Sequence, residues 1–451
     1  VRESSGDFKE ITFHPTNDSV VYFFNQQGTL PLKANVIYRT LDQGNSYDTS
    51  NTIQGNFNRR NVFLSTSPQC PDCLWFTSGK GVWISKDKGL NFSFISTPPE
   101  GMCEGMVVND KDTSKILWGF IGLYSSNDGG RSFTRRDGED INKNYVHVDV
   151  RELKSQNGTF YAVTDGFFSK SNDGGISWTR LNEAGTGIRE NYKLSVSQSN
   201  HYLTLTGSQD NGTSKWINGK WFKISGGDGM ESMIHPLNED WFIISSQFGN
   251  RKLTEDGGLS TRSASPSDGS FAYWEAPLIL DPNDPMTVYD FRESVYKSTN
   301  FGKDHIKLAN PASLDGFIQY AAIANNNSNI MVVSRNSSIE KSIDGGKTFT
   351  SIKNNLPDQI IMDIAFDPQD DDVIFVVYAN YQADNAKVFK STNGGTSWEN
   401  ITYNLGSMPI RSVAIDNTPE RNIYLGAEIG VYTMPMQGNS WSIYNTGFPN
   451  V

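Results

Sequence analysis

A turn motif that recurs at a regular spacing is the feature that most constrains how this chain can fold. The motif reads Ser/Thr-x-Asp-x-Gly-x-Ser/Thr-aromatic. Four good copies and four looser ones run over Thr40–Tyr47, Ser126–Phe133, Ser171–Trp178, Ser342–Phe349, Ser85–Phe92, Thr254–Thr261, Ser298–His305 and Ser391–Trp398. Neighbouring copies are mostly 41 to 49 residues apart. A period of this length indicates an array of one repeated supersecondary unit.

The third position of the motif has a structural explanation. An Asp at this position can accept backbone N–H bonds within the turn, and the glycine tolerates a positive φ angle. We therefore interpret the following residues as structural rather than catalytic or metal-binding: Asp42, Asp87, Asp128, Asp173, Asp256, Asn300, Asp344 and Asn393. The double interval between Asp173 and Asp256 predicts a degenerate copy around Asp210 to Trp216. A tenth copy is predicted near Gly438 to Trp441.

Each interval between motifs contains four short stretches typical of β strands. In the clearest interval these are Ile361–Phe366, Val373–Tyr378, Lys387–Ser391 and Ser397–Ile401. Four strands per repeat favour the blades of a β-propeller over a solenoid. The predicted fold class is therefore all-β, a propeller of about ten four-stranded blades. The blades are predicted at approximately 7–54, 60–98, 103–137, 145–182, 191–225, 229–264, 272–310, 316–353, 359–403 and 409–446.

The even spacing and the absence of a Pro/Gly/Ser-rich linker favour a single propeller over 1–451. Two tandem smaller propellers are the alternative.

Composition and charge exclude several classes of function. The 451 residues carry a formal net charge of −11 without a cluster of Lys or Arg, so we expect no nucleic-acid partner. No apolar run approaches the roughly 20 residues of a membrane-spanning helix, so no transmembrane segment is predicted. The lack of an initiator Met and of a signal-like start favours a processed or trimmed chain.

The three cysteines do not predict a metal site. Cys70 and Cys73 are expected to form a local disulfide or to remain free thiols, and no second ligand pair accompanies them or Cys103. The sequence also lacks a phosphate-binding loop and a dinucleotide-binding fingerprint. We therefore expect no metal and no cofactor.

The motif resembles the Asp-box of sialidase, xyloglucanase and sortilin propellers, and the resemblance covers nearly the whole chain. A sialidase is excluded, because the Phe/Tyr-Arg-Ile-Pro segment of that family has only a misordered counterpart in Met408–Arg411. Segment Arg39–Tyr47 is similar to the xyloglucanase repeat that carries a catalytic acid, which makes Asp42 a candidate acid. However, an extra residue before Asp42 makes this segment an ordinary Asp-box. The second propeller that supplies the other carboxylate in xyloglucanases has no counterpart in this sequence.

Two further resemblances concern partners and location. Sortilin is similar in having ten Asp-box blades in one ring that binds peptides in its tunnel, although its cysteine-rich module has no counterpart here. Segments Ile11–Asn17 and Gly430–Tyr432 resemble secreted Asp-box proteins of Bacteroidota, which often end in a sorting domain for type IX secretion. The resemblances imply a secreted or cell-surface protein. Its expected partner is a glycan or an extracellular protein, with an outer-membrane or surface assembly as a further candidate.

The most unusual loops place a candidate site on one face of the predicted propeller. Gln209–Gly212 joins the second and third strands of the fifth blade, and Gly226–Glu231 leads into the sixth, so we expect them to lie side by side. Asp210, Asp228 and Glu231 are candidates for the carboxylate pair of a glycoside hydrolase. Asp210 and Asp228 also suit Gly-rich turns as structural residues.

Aromatic and polar residues near the same face are candidates for ligand binding. Tyr and Trp beside carboxylates and amides make platforms for sugars or peptides. The candidates are His147, Tyr192, Tyr273, Trp274, Glu275, Tyr320 and Tyr381. We expect His147 on an innermost strand, with its side chain toward the tunnel.

These observations favour a non-catalytic binding module that presents its loop face and central tunnel to a glycan or a protein. Its support is the complete scaffold and the absence of a complete catalytic set. One alternative is a glycoside hydrolase related to xyloglucanases, with its acid and base among Asp210, Asp228, Glu231 and Asp42. The other is an accessory or cargo domain of a larger surface or secretion assembly. Carboxylates used in backbone turns would favour the binder, and a carboxylate pair facing stacked aromatics would favour the enzyme.

Overall fold

The computed structural model describes residues 8–25, 36–54, 61–137, 146–181, 189–311, 316–381 and 386–444. These residues form ten four-stranded antiparallel sheets, and each sheet is built from four strands that are consecutive in the chain. The prediction of an all-β chain of about ten four-stranded blades is confirmed. Among the described residues, no helix is long and apolar enough to cross a membrane. The choice between one ring and two tandem propellers stays a prediction.

The first compact unit, residues 1–188, contains sheets 1 to 4. Its strands are β1 (Phe8–Phe13), β2 (Val21–Asn25), β3 (Tyr38–Thr40) and β4 (Asp48–Thr49) in sheet 1; β5 (Phe63–Ser67), β6 (Cys70–Thr77), β7 (Val82–Ser85) and β8 (Ser93–Ser96) in sheet 2; β9 (Gly105–Val108), β10 (Ile116–Gly119), β11 (Leu123–Ser126) and β12 (Thr134–Arg135) in sheet 3; and β13 (Val150–Gln156), β14 (Thr159–Thr164), β15 (Phe168–Ser171) and β16 (Thr179–Arg180) in sheet 4.

The second compact unit, residues 189–451, contains sheets 5 to 10 and the one-turn 3-10 helix Gln247–Gly249. Its strands are β17 (Asn191–Val196), β18 (Leu203–Ser208), β19 (Gly212–Ile217) and β20 (Lys220–Ser225) in sheet 5; β21 (Ser232–Ile234), β22 (Phe242–Ser246), β23 (Asn250–Thr254) and β24 (Arg262–Ser263) in sheet 6; β25 (Leu278–Leu280), β26 (Val288–Phe291), β27 (Val295–Ser298) and β28 (Ile306–Lys307) in sheet 7; β29 (Tyr320–Ile323), β30 (Met331–Arg335), β31 (Ser338–Ser342) and β32 (Thr350–Ser351) in sheet 8; β33 (Ile361–Asp367), β34 (Asp370–Tyr378), β35 (Val388–Ser391) and β36 (Glu399–Asn400) in sheet 9; and β37 (Ile410–Ile415), β38 (Asn422–Ala427), β39 (Val431–Pro435) and β40 (Ser442–Ile443) in sheet 10.

Within each unit, successive sheets pack face to face with their first strands adjacent. In the first unit β1 contacts β5, β5 contacts β9, and β9 contacts β13. In the second unit the same relation runs from β17 through β21, β25, β29 and β33 to β37. This is how propeller blades are arranged, with the first strand of each blade innermost. Side chains at the start of the first strands in one unit are therefore brought close together.

The hydrophobic core is divided into layers between neighbouring sheets, as strand β34 illustrates. Ile374, Val376 and Tyr378 face sheet 8, whereas Phe375 and Val377 face sheet 10. Successive side chains of a strand point to opposite faces, so one central strand supplies two core layers. These five residues are completely buried. Burying an aliphatic or aromatic side chain stabilises the fold by about 1.5–3 kcal/mol.

The recurrent turn between the third and fourth strands contains a fixed set of hydrogen bonds, shown here for Asp128. The Ser126 hydroxyl donates to Asp128 Oδ1 (2.7 Å) and accepts from the backbone N–H of Gly130 (2.9 Å). Asp128 Oδ1 also accepts from the N–H groups of Arg131 and Ser132, both at 2.9 Å. The Ser132 hydroxyl donates to Oδ2 at 2.6 Å. The carboxylate thus supplies acceptors for N–H groups that the sheet leaves unpaired.

The other seven motif copies keep the essential bonds of this turn. The hydroxyl at the first position of the motif donates to the side-chain oxygen of the third residue. The same oxygen accepts from the backbone N–H of the residue four positions after that third residue. These bonds occur at Asp42, Asp87, Asp173, Asp256, Asn300, Asp344 and Asn393. Asn393 uses its Nδ2 to donate to the Ser397 hydroxyl, where Asp would accept from it. An amide can therefore replace the carboxylate without changing the geometry of the turn.

Sheet 5 departs from the pattern, and the expected copy around Asp210 to Trp216 is wrong. The third and fourth strands of this sheet are joined by Asn218 and Gly219, with φ angles of 49° and 81°. Two residues with positive φ form the tight turn typical of a hairpin, which needs no side-chain acceptor. The fourth strand of sheet 5 has six residues, whereas eight of the other nine fourth strands have only two. A longer strand therefore accompanies the missing motif.

The three cysteines lie in or beside the core between sheets 2 and 3. Cys70 and Cys73 form a disulfide within β6. The Cys103 thiol is completely buried and donates a hydrogen bond to the carbonyl oxygen of Gly105 (3.2 Å). Burial raises the pKa of the Cys103 thiol, which keeps it protonated and inert at neutral pH.

Replacing Asp128 with alanine should lower the free energy of unfolding by roughly 1–3 kcal/mol, because N–H groups of the turn lose their acceptor. Asp128→Asn should lose less, because Asn300 and Asn393 sustain the same turn naturally. Urea unfolding of the wild type and both variants measures the difference. Equal losses for the two variants would show that the side chain does not act as the acceptor described.

Acid should weaken the same turns. Hydrogen bonds from Ser132 hold the pKa of Asp128 at about 2. At Asp87, burial opposes ionisation, but bonds from Asn91 and Ser85 outweigh it and the pKa is also about 2. A depressed carboxyl pKa contributes stability that is complete above the ordinary value and is lost as the pH falls through the folded value. The melting temperature should therefore fall most steeply between pH 3.8 and about 2. Asp128→Asn should fall less over this range, and identical profiles would contradict the assignment.

Candidate functional site

Two loops of the second unit meet beside the first strand of sheet 6, as the sequence predicts. The turn Gln209–Gly212 joins β18 to β19, and the loop Gly226–Glu231 joins β20 to β21. The backbone N–H of Asp210 donates to Asp228 Oδ1 (2.7 Å), and that of Gly229 donates to the Ser208 carbonyl (2.9 Å). A Cβ atom on Gly212 would overlap the Ser225 carbonyl, so this close approach requires glycine.

Asp228 joins three segments through one buried carboxylate. The residue is only 8% exposed. Its Oδ1 accepts from Asp210, and its Oδ2 accepts from the side-chain amide of Gln247, at the start of the 3-10 helix. Asp210 itself has a φ of 55°, the left-handed conformation that Asp tolerates in turns. The backbone of Asp210 and the carboxylate of Asp228 therefore both belong to the loop structure.

Phe248 adds an aromatic surface that the sequence does not predict. Its φ is 59°, and its side chain is 58% exposed. The Phe248 N–H donates to the Trp274 carbonyl (3.1 Å), and the two rings are nearly perpendicular with centroids 5.1 Å apart. A bulky residue in the left-handed region is strained, and such strain is concentrated at functional sites. Nothing local in the sequence signals a positive φ at a phenylalanine.

Tyr192 connects the aromatic pair to the loops. Its hydroxyl donates to Gln209 Oε1 (2.9 Å). Burial raises the pKa of the Tyr192 phenol, a hydrogen bond with Trp274 opposes the rise, and the charges of Asp228 and Glu275 add to it. The predicted residues Tyr192, Trp274, Glu275 and Asp228 are therefore neighbours. We call Tyr192, Phe248, Trp274 and Glu275 the aromatic–acid site.

A group of charged residues lies next to this site, on the first strands of the second unit and in the segments just before them. Burial raises the pKa of Glu231 and of Glu275, and in both cases the nearby Lys193 ammonium opposes the rise. Burial alone would lower the pKa of Lys193, but Glu231, Asp363 and Glu275 outweigh it and raise the pKa. Among the described residues, no carboxylate forms a direct ion pair with Lys193. Lys193 and Asp363 were not predicted from the sequence.

Asp363 and the two remaining tyrosines have different environments. Asp363 accepts backbone N–H bonds from Ile364 (2.9 Å) and Val413 (3.0 Å), so part of its carboxylate has a structural use. Burial raises the pKa of Tyr320; Glu275, Tyr273 and Asp363 add to the rise, and Arg411 opposes it. The predicted residues Tyr273 and Tyr320 therefore belong to the same neighbourhood as Glu275.

Three predicted residues do not join this group. Tyr381 is 69% exposed after β34, and no hydrogen bond or ring contact links it to the aromatic–acid site within the described residues. His147 lies before β13, not on a strand as expected. It is 7% exposed, with its ring against Gly166 and edge-on to Phe167, so it is a packed residue. The Asp42 carboxylate binds Thr40 and Ser46 within its own turn.

Replacing Asp228 with alanine should loosen the turn that contains Asp210. A hydrogen bond to a charged group stabilises by about 1.5–3 kcal/mol, so we expect the Asp210 amide to exchange with solvent about tenfold to a hundredfold faster. Hydrogen–deuterium exchange of peptides covering 208–212 measures this. Asp284→Ala is the matched control, because the Asp284 carboxylate accepts from Met286 and Thr287 within its own turn. If the Asp210 amide exchanged at the wild-type rate in Asp228→Ala, Asp228 would not hold the two loops together.

Part of the chain is similar in sequence to a xyloglucanase, although no protein-family model matches it. The xyloglucanase of Hypocrea jecorina (strain QM6a) is 28% identical over 169 residues, which are 36% of this chain and 19% of that enzyme. The chain therefore spans about a fifth of the length of the curated relative it matches.

Two solved structures of GH74 enzymes also align with the chain. The enzyme of Niastella koreensis is 15% identical, covers 98% of this chain and 85% of its own, and gives a TM-score of 0.34. The xyloglucanase of Xanthomonas campestris is 13% identical, covers 97% and 86%, and gives a TM-score of 0.31. The fold assignment rests on the ten sheets of the chain itself.

Proposed function

We propose that this chain is a secreted or cell-surface module that binds a neutral polysaccharide at the aromatic–acid site. The observation that carries the proposal is the exposed Phe248 ring set perpendicular to Trp274, beside the Tyr192 hydroxyl and the Glu275 carboxylate. Aromatic faces pack against the C–H faces of sugars, and carboxylates and amides bond to sugar hydroxyls. The partial sequence similarity to a xyloglucanase makes xyloglucan the first polysaccharide to test.

Charge favours a neutral ligand over an anionic one. The chain has a formal net charge of −11, and Glu231, Glu275 and Asp363 lie close to the site with Lys193 as the neighbouring cation. A negative potential repels uronic-acid or sulfated polysaccharides, but it does not oppose a neutral β-glucan. The carboxylates can accept hydrogen bonds from sugar hydroxyls.

Binding without cleavage is supported by the use of the candidate carboxylates. Asp42 and Asp228 accept hydrogen bonds from their own turns and loops, which supports a structural use of both carboxylates. Of the four candidate carboxylates, Asp210 and Glu231 therefore remain for the hydrolase.

A glycoside hydrolase is the second candidate, and one observation favours it. Burial raises the pKa of Glu231 and Glu275, and a raised carboxyl pKa suits a general acid. Hydrolysis would require one of them to protonate the glycosidic oxygen while a second carboxylate acts as nucleophile or base. This alternative makes a distinct prediction, which is release of reducing ends.

Trp274→Ala should lower the affinity for xyloglucan by about tenfold or more, which is at least ~1.4 kcal/mol of binding free energy. Affinity electrophoresis in gels containing xyloglucan measures the affinity, and a reducing-end assay on the same samples measures cleavage. Trp221→Ala is the matched control, since Trp221 is 55% exposed on sheet 5. We expect retardation of the wild type and of Trp221→Ala without reducing-end release.

Two results would contradict the proposal. Reducing-end release that disappears in Glu231→Gln or Glu275→Gln would make the chain a hydrolase. Absence of both retardation and release, over a panel of neutral plant and microbial polysaccharides, would shift the search to protein partners.

A further inference from the structure

A buried group of two arginines and one aspartate is hydrogen-bonded to the segments that carry the aromatic–acid site. Arg251 on β23, Asp290 on β26 and Arg292 are 1%, 0% and 3% exposed. Arg251 Nη2 lies 2.9 Å from Asp290 Oδ1, and Arg292 Nη2 lies 3.0 Å from Asp290 Oδ2. Both oxygens of one carboxylate are therefore held between two guanidinium groups from sheets 6 and 7.

The same two guanidinium groups also bind the segments that carry the site. Arg251 Nη2 donates to the carbonyls of Ala276 (2.8 Å) and Pro277 (3.1 Å), which directly follow Trp274 and Glu275. Arg292 donates to the carbonyl of Gly249 (2.5 Å), which directly follows Phe248. Arg292 Nη1 donates to the Ser270 carbonyl (2.9 Å), at the start of the same loop as Trp274. The planar guanidinium fork suits this simultaneous bonding of a carboxylate and carbonyls.

Removing these three charged groups from water costs free energy, so the question is what the ion-pair group does that apolar side chains could not do. Burial opposes ionisation of Asp290, but Arg251 and Arg292 outweigh it and hold its pKa below the ordinary value. A well-packed hydrophobic group of the same size is often as stable as a buried ion pair, or more stable. Apolar side chains could not, however, hold four backbone carbonyls in fixed directions.

We infer that Arg251, Asp290 and Arg292 are positioning residues, which hold the backbone of Phe248 and of Trp274–Glu275 so that the two rings and the carboxylate form one surface for a sugar chain. Asp290 orients the two guanidinium groups, and these fix the carbonyls. The strained φ of Phe248, 59°, is maintained from both sides, by the Arg292 bond to Gly249 and by the Phe248 N–H bond to Trp274. The inference rests on the proposed polysaccharide site.

The test compares Asp290→Asn with a matched control in the same unit. Asp367 is also completely buried and accepts from Arg421 Nη1 (2.7 Å), but its other Oδ atom bonds the N–H of Gln369 in its own turn. Asp367→Asn therefore removes an ion pair between a buried Asp and an Arg at a place that holds no segment of the site. Arg292→Lys is a second test variant, because it keeps the buried charge but loses the planar fork.

Two quantities are measured at a temperature where circular dichroism shows each variant folded. The first is amide exchange of segments 247–250 and 270–277 without ligand, and the second is the affinity for xyloglucan. We expect Asp290→Asn and Arg292→Lys to exchange at least tenfold faster in both segments and to bind at least tenfold more weakly. Asp367→Asn should match the wild type in both within about twofold.

The outcomes separate this inference from the proposed function. Wild-type exchange in the two segments of Asp290→Asn and Arg292→Lys would overturn the positioning role, as would equal effects from Asp367→Asn. Faster exchange with unchanged affinity would also overturn it. A wild type that binds no xyloglucan defeats the proposed function, and the exchange data then still decide whether the three residues hold the two segments.

Discussion

The fold depends on how each sheet provides hydrogen-bond acceptors for the backbone N–H groups next to its fourth strand. Most fourth strands have only two residues, so ladder hydrogen bonds alone cannot hold them in place. The hydroxyl and the carboxylate or amide of the recurrent turn bind the N–H groups that the short ladder leaves over. Sheet 5 has the complementary solution, because its turn lacks this motif and its fourth strand has six residues. In sheet 5, a longer fourth strand therefore accompanies a turn without the motif.

Packing between neighbouring sheets then determines which residues near the first strands come together. A central strand such as β34 supplies a core layer on both faces, which fixes the sheets of one unit against each other. The segments at the ends of the first strands are then free to carry polar and aromatic residues. In the second unit, this places Glu231 before β21, Glu275 before β25 and Asp363 on β33 around Lys193 of β17. The site is a consequence of the repeated architecture, and its residues come from different repeats.

The sequence predicted the features that depend on local chemistry. The spacing of the turn motif gave the number of sheets, and alternating apolar residues placed the strands of the clearest repeat to within a few residues. Gly-rich composition identified the two loops that meet at Asp228. Tyr192, Trp274 and Glu275 were selected because they are aromatic or acidic residues near those loops, and they are neighbours in the structure.

What the sequence did not predict depends on contacts between distant residues. Nothing in the local sequence distinguishes Arg251, Asp290 and Arg292 until sheets 6 and 7 are packed together. The φ of Phe248 is set by bonds to segments on either side of it, and no local pattern encodes it. The prediction of a degenerate motif near Asp210 was wrong because the segment joins the second and third strands of its sheet. The same residue pattern suits such a turn as well as a turn between the third and fourth strands.

A crystal of the protein soaked with xyloglucan oligosaccharides would show directly whether and where a glucan binds. We expect a glucan backbone packed on Phe248 and Trp274, with its hydroxyls bonded to Glu275 and every glycosidic bond intact. Oligosaccharide bound at another sheet with the aromatic–acid site unchanged, or cleaved sugar beside Glu231 and Glu275, would rule out binding without cleavage at this site.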